Sequence, residues 1–205
     1  MKIVKIDKSV LDKSKIAAAV DQLKGGKVVV LPTDTSYGLC ANAYNEEAVR
    51  KILAIKQRPA NKPLSVIVRD LIMLGEVAKI GERELKIAQK YLPGPFTFVL
   101  PKKEIIPGLV SGGGNTIGVR IPSFSLIHEI MSKVSFPLTA TSANISGSKA
   151  IYSIQDLVEE FSGRDSQPDL LVDLGDLLPN QPSTVVDLTC DPPEILRKGS
   201  GEFPL

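Results

Sequence analysis

Short apolar runs constrain this chain more than any other feature. At 28–31, 64–68, 96–100, 116–121 and 137–140 the sequence gathers Val, Ile, Leu, Phe and Thr into stretches of strand length, with Gly, Pro, Asn, Asp or Ser close by. Runs of that length and composition suit buried strands and are too brief for helices. Helical patterns lie between them. Residues 15–24 carry Ile16, Ala19, Val20 and Leu23 on one stripe, stopped by Gly25-Gly26. Asn45 caps a second helix, with Glu46 and Glu47 in its first turn. A third spans 82–91 and ends at Pro93-Gly94-Pro95, and further helices are predicted at about 125–133 and 154–161. Shorter strands are predicted at 3–6, 170–174, 184–188 and 194–196. Many strands with interspersed helices predict an α/β or α+β sheet protein. The 205 residues fit one domain or at most two small ones, and the polar stretch 162–169 reads as a surface loop rather than a linker.

Charge is uneven although the net value is only +2. Residues 50–120 hold 13 Lys/Arg against 5 Asp/Glu, and residues 156–194 hold 1 against 10. The basic segment either forms a face that attracts phosphate or packs on the acidic segment and is neutralised. Cys40 and Cys190 make neither a metal motif nor a disulfide framework, and read as buried thiols of a cytoplasmic chain. The N-terminus has no signal-peptide core, and no run of 18 apolar residues predicts a membrane span. His128 is the only histidine and sits in a helical run, so Ser-His-Asp or Cys-His chemistry has no other base to use.

Several strand ends collect polar side chains. The stretch "LPTDTSYGL", 31–39, follows a buried run with four hydroxyls; it reads either as a ligand site at a strand end or as a turn in which Asp34 bonds its own backbone. The stretch "LTATSANISG", 138–147, repeats the pattern with Ser142 and Asn144. Between them lies "KQRPANKPLSV", 56–66, where Lys56, Arg58 and Lys62 stand beside two prolines that end a helix. Cations on such a stiff loop, carrying little packing, can be placed before a ligand arrives. Gly112–Gly114 lack the Gly-Lys-Ser/Thr of a phosphate loop and read as a flexible turn. Arg120 lies inside a strand and needs an anion, either an acid of this protein or a substrate carboxylate. By charge, Lys56, Arg58 and Arg197 suit a polyphosphate, Arg120 a carboxylate, and Thr35, Ser142 and Ser183 a hydroxyl or amine. The set contains no obvious nucleophile, no general base and no acidic metal cluster.

Lys56-Gln57-Arg58 and Ser142-Ala143-Asn144, with the TDTSYGL, RPANKPL, GVRIP, TSAN and STVVDL blocks in order, resemble the YrdC family, the threonylcarbamoyl-AMP synthases of tRNA modification. The likeness covers nearly the whole chain. It implies one YrdC-like domain over 1–205, an open twisted mixed α/β sheet with flanking helices, and a concave basic cleft. It also implies a cytoplasmic nucleotidyltransferase that turns L-threonine, bicarbonate and ATP into threonylcarbamoyl-AMP and pyrophosphate, for the t6A modification of tRNA. Mg²⁺ would ride on the ATP phosphates, and a downstream threonylcarbamoyl transferase would take the product. Lys56, Arg58, Ser142 and Asn144 would form the catalytic set. ATP would meet Lys56, Arg58, Lys62, Asn144 and Arg197. Threonine would meet Thr35, Arg120, Ser142 and Ser183. The chain departs from common family residues at Ile67, where some relatives carry histidine, and at Ser36, where valine is common. It keeps both Lys-x-Arg and Ser-x-Asn, which the YciO-like branch weakens. Two rival readings are an RNA-binding YrdC/YciO-like protein without synthase activity and a carbamoyl-transfer domain of a larger maturation protein. Aromatic residues are only 5%, few for stacking bases.

Overall fold

A computed structural model describes residues 1–7 and 12–204 of the chain. The chain runs β1 (Lys2–Lys5), α1 (Lys13–Lys24), β2 (Val29–Pro32), β3 (Tyr37–Cys40), α2 (Glu46–Lys56), β4 (Ser65–Ile67), α3 (Leu71–Val77), α4 (Glu82–Tyr91), β5 (Phe96–Pro101), β6 (Thr116–Arg120), α5 (Ser125–Met131), β7 (Leu138–Ser142), α6 (Ile154–Phe161), β8 (Leu170–Asp173), β9 (Thr184–Asp187) and β10 (Glu194–Arg197). The expected α/β class holds, as a twisted open mixed sheet. Its ten strands stand in the order β1-β8-β2-β3-β7-β4-β6-β5-β9-β10. The pairs β1–β8, β2–β8, β4–β6 and β5–β9 are parallel, and the remaining pairs are antiparallel.

Local chemistry sets most of the boundaries. Asp12 accepts from the Ser14 and Lys15 amides and starts α1, whose stripe Ile16, Ala19, Val20 and Leu23 is buried. Asn45 accepts from the Ala48 amide and starts α2, which stops where Gln57 turns left-handed at φ 50. Val29, Val30, Leu31, Val66, Phe98, Val119 and Leu138 are fully buried, as strands covered on both faces require.

Two elements escape the sequence reading. Strand β3 has only Tyr-Gly-Leu-Cys, without the β-branched signature, yet it fills the slot between β2 and β7. The hairpin before it is closed by Thr33, whose hydroxyl donates to the Ser36 carbonyl at 2.7 Å. The expected Asp34 turn is therefore a Thr33 turn, and the Asp34 carboxylate is used elsewhere. Helix α3 covers an apolar run that reads equally as strand or helix; Asp70 decides it by accepting from the Met73 amide at 2.8 Å. Gly112–Gly114 form a turn, of which Gly112 packs against the cationic loop. A Cβ on Gly112, at φ +63, would come 2.6 Å from the Asn61 carbonyl oxygen.

Candidate functional site

Side chains alternate across a sheet, so residues paired between neighbouring strands share a face. Gly38 pairs with Ser142, Ala140 with Ser65, Ser65 with Gly118, and Ile67 with Arg120. Across β3, β7, β4 and β6, one face of the central sheet thus carries mostly small residues. A Cβ on Gly118 would sit 2.6 Å from the Ser65 hydroxyl, so the face cannot be filled from that strand. The result is a cavity of about 470 Å³, walled by Thr35, Arg58, Arg120, Ser142, Ser183 and Arg197 among others. Among the described residues, its charged lining is three arginines and no acid.

Each arginine is held differently. Arg58 follows α2, and its Nη2 donates to the Pro63 carbonyl at 2.8 Å, which folds the loop back on itself. Arg197 ends β10 and donates through Nη2 to the Ser183 carbonyl at 2.8 Å and to the Ser183 hydroxyl at 3.2 Å. The Ser183 hydroxyl also meets the Thr97 hydroxyl at 2.8 Å. Burial lowers the pKa of both arginines, aided at Arg197 by the Arg120 charge, and guanidinium stays protonated regardless. Arg120 is 8% exposed and donates from Nη2 to Asp34 Oδ1 at 2.5 Å and from Nη1 to the Thr35 hydroxyl at 3.5 Å. Its Nε and the second Asp34 oxygen are buried without partners.

Lys56, Lys62 and Asn144 do not line the cavity. Lys62 is exposed on the loop. Lys56 corrects the picture of a loop cation carrying little packing: it is the last residue of α2 and only 2% exposed. Its ammonium donates to the Ser142 carbonyl at 2.6 Å, the Asn144 carbonyl at 2.8 Å and Asn144 Oδ1 at 3.1 Å. Those three bonds use all three of its hydrogens. Ser142 donates to Asn144 Oδ1 at 2.5 Å, and Asn144 donates to the Ser148 and Lys149 carbonyls. Lys56, Ser142 and Asn144 are therefore one buried clasp that fixes the loop after β7. Burial, with the Arg58 charge adding, brings the Lys56 pKa down to about 8.

The opposed charge segments do meet at their edges. Lys51 pairs with Asp169 at 2.7 Å and Arg83 with Asp191 at 2.8 Å. The cavity arginines stand outside these pairs. Cys40 lies in the wall fully buried, and burial pushes its thiol up to about 12, which makes it inert. Cys190 is only half-buried, contrary to expectation. His128 lies away from the cavity, against the Pro122 carbonyl. No described helix is long and apolar enough to cross a membrane.

Sequence reasoning missed Asn180 and Tyr152 in the wall. Asn180 donates to the Asp34 carbonyl at 3.1 Å, and the Tyr152 hydroxyl donates to the Asn180 carbonyl at 2.8 Å. Both lie in segments without periodicity, so no local pattern marks them.

Residues 21–199 match the Sua5_yciO_yrdC family model, described as telomere recombination. The chain is 38% identical over 190 residues to the threonylcarbamoyl-AMP synthase of Pyrococcus abyssi, covering 92% of this chain and 55% of that protein. It is 39% identical over 178 residues to a putative threonylcarbamoyl-AMP synthase of Methanocaldococcus jannaschii, covering 87% of this chain and 82% of that one. The crystal structure of P. abyssi Sua5 complexed with L-threonine superposes with a TM-score of 0.90 at 36% identity, covering 97% of this chain and 58% of that one. The chain thus spans little more than half the length of the Pyrococcus protein.

Proposed function

Because this chain belongs to the Sua5/YciO/YrdC family, we propose that it makes threonylcarbamoyl-AMP and pyrophosphate from L-threonine, bicarbonate and ATP, as one YrdC-like domain. The observation that carries this reading is that three arginines and several hydroxyls line one cavity. Arg58 and Arg197 take the polyphosphate, with Lys62 at the exposed end of the same loop as Arg58. Arg120, beside Thr35, takes the threonine carboxylate, and Ser142 and Ser183 serve its hydroxyl and amine. Lys56 and Asn144 support the wall that presents Ser142. Mg²⁺ would be held by the nucleotide's own phosphates and would help neutralise their charge.

The chemistry in this reading needs positions and charges rather than a covalent enzyme intermediate. The threonine amine and bicarbonate give a carbamate and water. A carbamate oxygen attacks the α-phosphorus, and pyrophosphate leaves. Bringing the carbamate and nucleotide together and neutralising the developing phosphoryl charge supply the rate enhancement. Transfer of the product to a downstream threonylcarbamoyl transferase, contact with tRNA and a cytoplasmic setting belong to the same proposal. Incubation with ATP, L-threonine and bicarbonate tests it, with pyrophosphate as the readout. Release that depends on both threonine and bicarbonate is expected. Equal release without threonine would leave a generic nucleotide hydrolase and end the synthase reading.

A further inference from the structure

Tyr152 has no part in the reaction as described so far, yet among the described residues it is the one aromatic side chain in the wall of the arginine cavity. Aromatic rings usually serve the core, and Tyr91, Phe96, Phe98 and Phe203 pack together in that way. Tyr152 does not. Ile151 and Ile154, on either side of it, pack against the hydrophobic core, while Tyr152 stands half-buried outside that core and no described ring packs on it. Its place is nonetheless fixed. Its carbonyl accepts from the Leu177 amide at 3.0 Å, and its hydroxyl donates to the Asn180 carbonyl at 2.8 Å. The chain just before it is held by Asn144, which donates to the Ser148 and Lys149 carbonyls. The ring thus runs from the loop after β7 to residue 180, and both Tyr152 and Asn180 lie in the cavity wall. A ring that is tied at both ends, reachable from the cavity and not used by the core is a prepared flat surface.

Arg58 and Arg197 answer the phosphates of a nucleotide and leave its base unplaced. A base offers a π-face, and an aromatic side chain is the surface on which bases stack. Charge sets the direction in which the nucleotide would lie. The cavity holds arginines and no acid, whereas the shallow groove that Tyr152 also lines holds Asp156, Glu159 and Glu160 beside Lys149 and Arg164. Phosphates are drawn to the arginines, which turns the base towards Tyr152. We propose that Tyr152 is the base platform of the nucleotide subsite: the base stacks on its ring while Arg58 and Arg197 hold the phosphates, and the hydroxyl bond to Asn180 sets the angle of the ring rather than reading the base. This rests on the function proposed above. Stacking serves every base, so the preference among nucleotides follows the size of the π-face, purine over pyrimidine.

The test uses the full chain, which contains no tryptophan. Tyr152→Trp therefore places a single indole reporter at the platform. ATP should quench its emission as the base stacks, and inorganic tripolyphosphate, which has phosphates and no base, should not. In calorimetry, Tyr152→Leu keeps apolar bulk and removes the π-face. It should weaken ATP by about tenfold or more, the scale of one base stacked on one ring, and leave L-threonine within about twofold. Tyr152→Phe keeps the ring and should hold ATP within about threefold. If one variant does not fold, the other two carry the test. ATP binding to Tyr152→Trp with unchanged emission, equal quenching by tripolyphosphate, or parental ATP affinity in Tyr152→Leu overturns the assignment. So does a Tyr152→Leu protein that loses threonine as much as ATP, or a Tyr152→Phe protein that loses as much ATP affinity as Tyr152→Leu, since the hydroxyl would then be the working part. If the unaltered chain binds no ATP, the synthase reading falls and the platform with it. If it binds ATP and Tyr152→Leu binds it equally well, only the Tyr152 assignment falls.

Discussion

Lys56 and Arg120 are both buried cations near the same cavity, and they are held in opposite ways. Lys56 spends every ammonium hydrogen on the loop after β7. Arg120 keeps an unpaired Nε inside a pair whose other member also has an idle oxygen. A fully satisfied buried cation behaves as part of the scaffold, because removing it strands its acceptors. A half-satisfied one retains bonding capacity for a ligand, at a standing cost to the ligand-free fold. Sequence position set Lys56 on a loop with little packing and Arg120 inside a strand; the count of satisfied hydrogens makes Lys56 the more firmly held of the two.

The largest expected effect follows from that count. Lys56→Met keeps the stem and removes the ammonium, taking a donor from the Ser142 and Asn144 carbonyls, while Asn144 Oδ1 keeps the Ser142 hydroxyl. It should cost about 3 kcal/mol in chemical denaturation and should weaken activity too. A variant as stable as the parent would show that the clasp is not structural and erase the contrast. Arg120→Lys comes next. It should raise the threonine KM by about tenfold with little change in melting temperature, because an ammonium cannot reproduce a planar two-bond fork. A large loss of stability with an unchanged threonine KM would place Arg120 with Lys56 as scaffold.

Arg197 lies between the extremes. Its anchor, the Ser183 carbonyl, precedes Thr184, whose buried hydroxyl accepts from the Gly199 amide at 3.0 Å and the Gly201 amide at 3.1 Å and donates to the Gly201 carbonyl at 2.6 Å. Thr184→Val should loosen this turn and raise the ATP KM by about three- to fivefold, with the threonine KM less affected, and Thr184→Ser should restore it. Equal changes in both KM values would make Thr184 a general packing residue. Lys56 also sets a slope of stability with pH. The folded Lys56 value of about 8 lies below the free side chain's 10.5. Between those values the unfolded chain holds the proton more tightly, so stability relative to Lys56→Met is lowest below pH 8 and rises across that window. A flat difference in denaturation free energy from pH 8 to 10 would mean that the buried amine stays charged.

What the sequence determined by itself is local. Runs such as 28–31 and 96–100 foretell strands because run length, apolar composition and β-branching act over a few residues, and caps such as Asn45 foretell helix starts for the same reason. The residues Thr35, Arg58, Arg120, Ser142, Ser183 and Arg197 were legible as candidates from charge, hydroxyl and strand-end position, and the structure places them around one cavity. Strand β3 was not legible, because its four residues gain their place from β2 and β7 on either side rather than from their own propensity. Nor was the division between Lys56 and Arg120. Lys56 is bonded to residues 86 and 88 positions away, and Arg120 to Asp34, 86 positions back. A sheet order that inserts β7 between β3 and β4 and sets β6 beside β4 brings those partners together. Which cation is spent on the fold and which retains an open bond depends on distances between strands that are remote in sequence, so only the tertiary structure decides it.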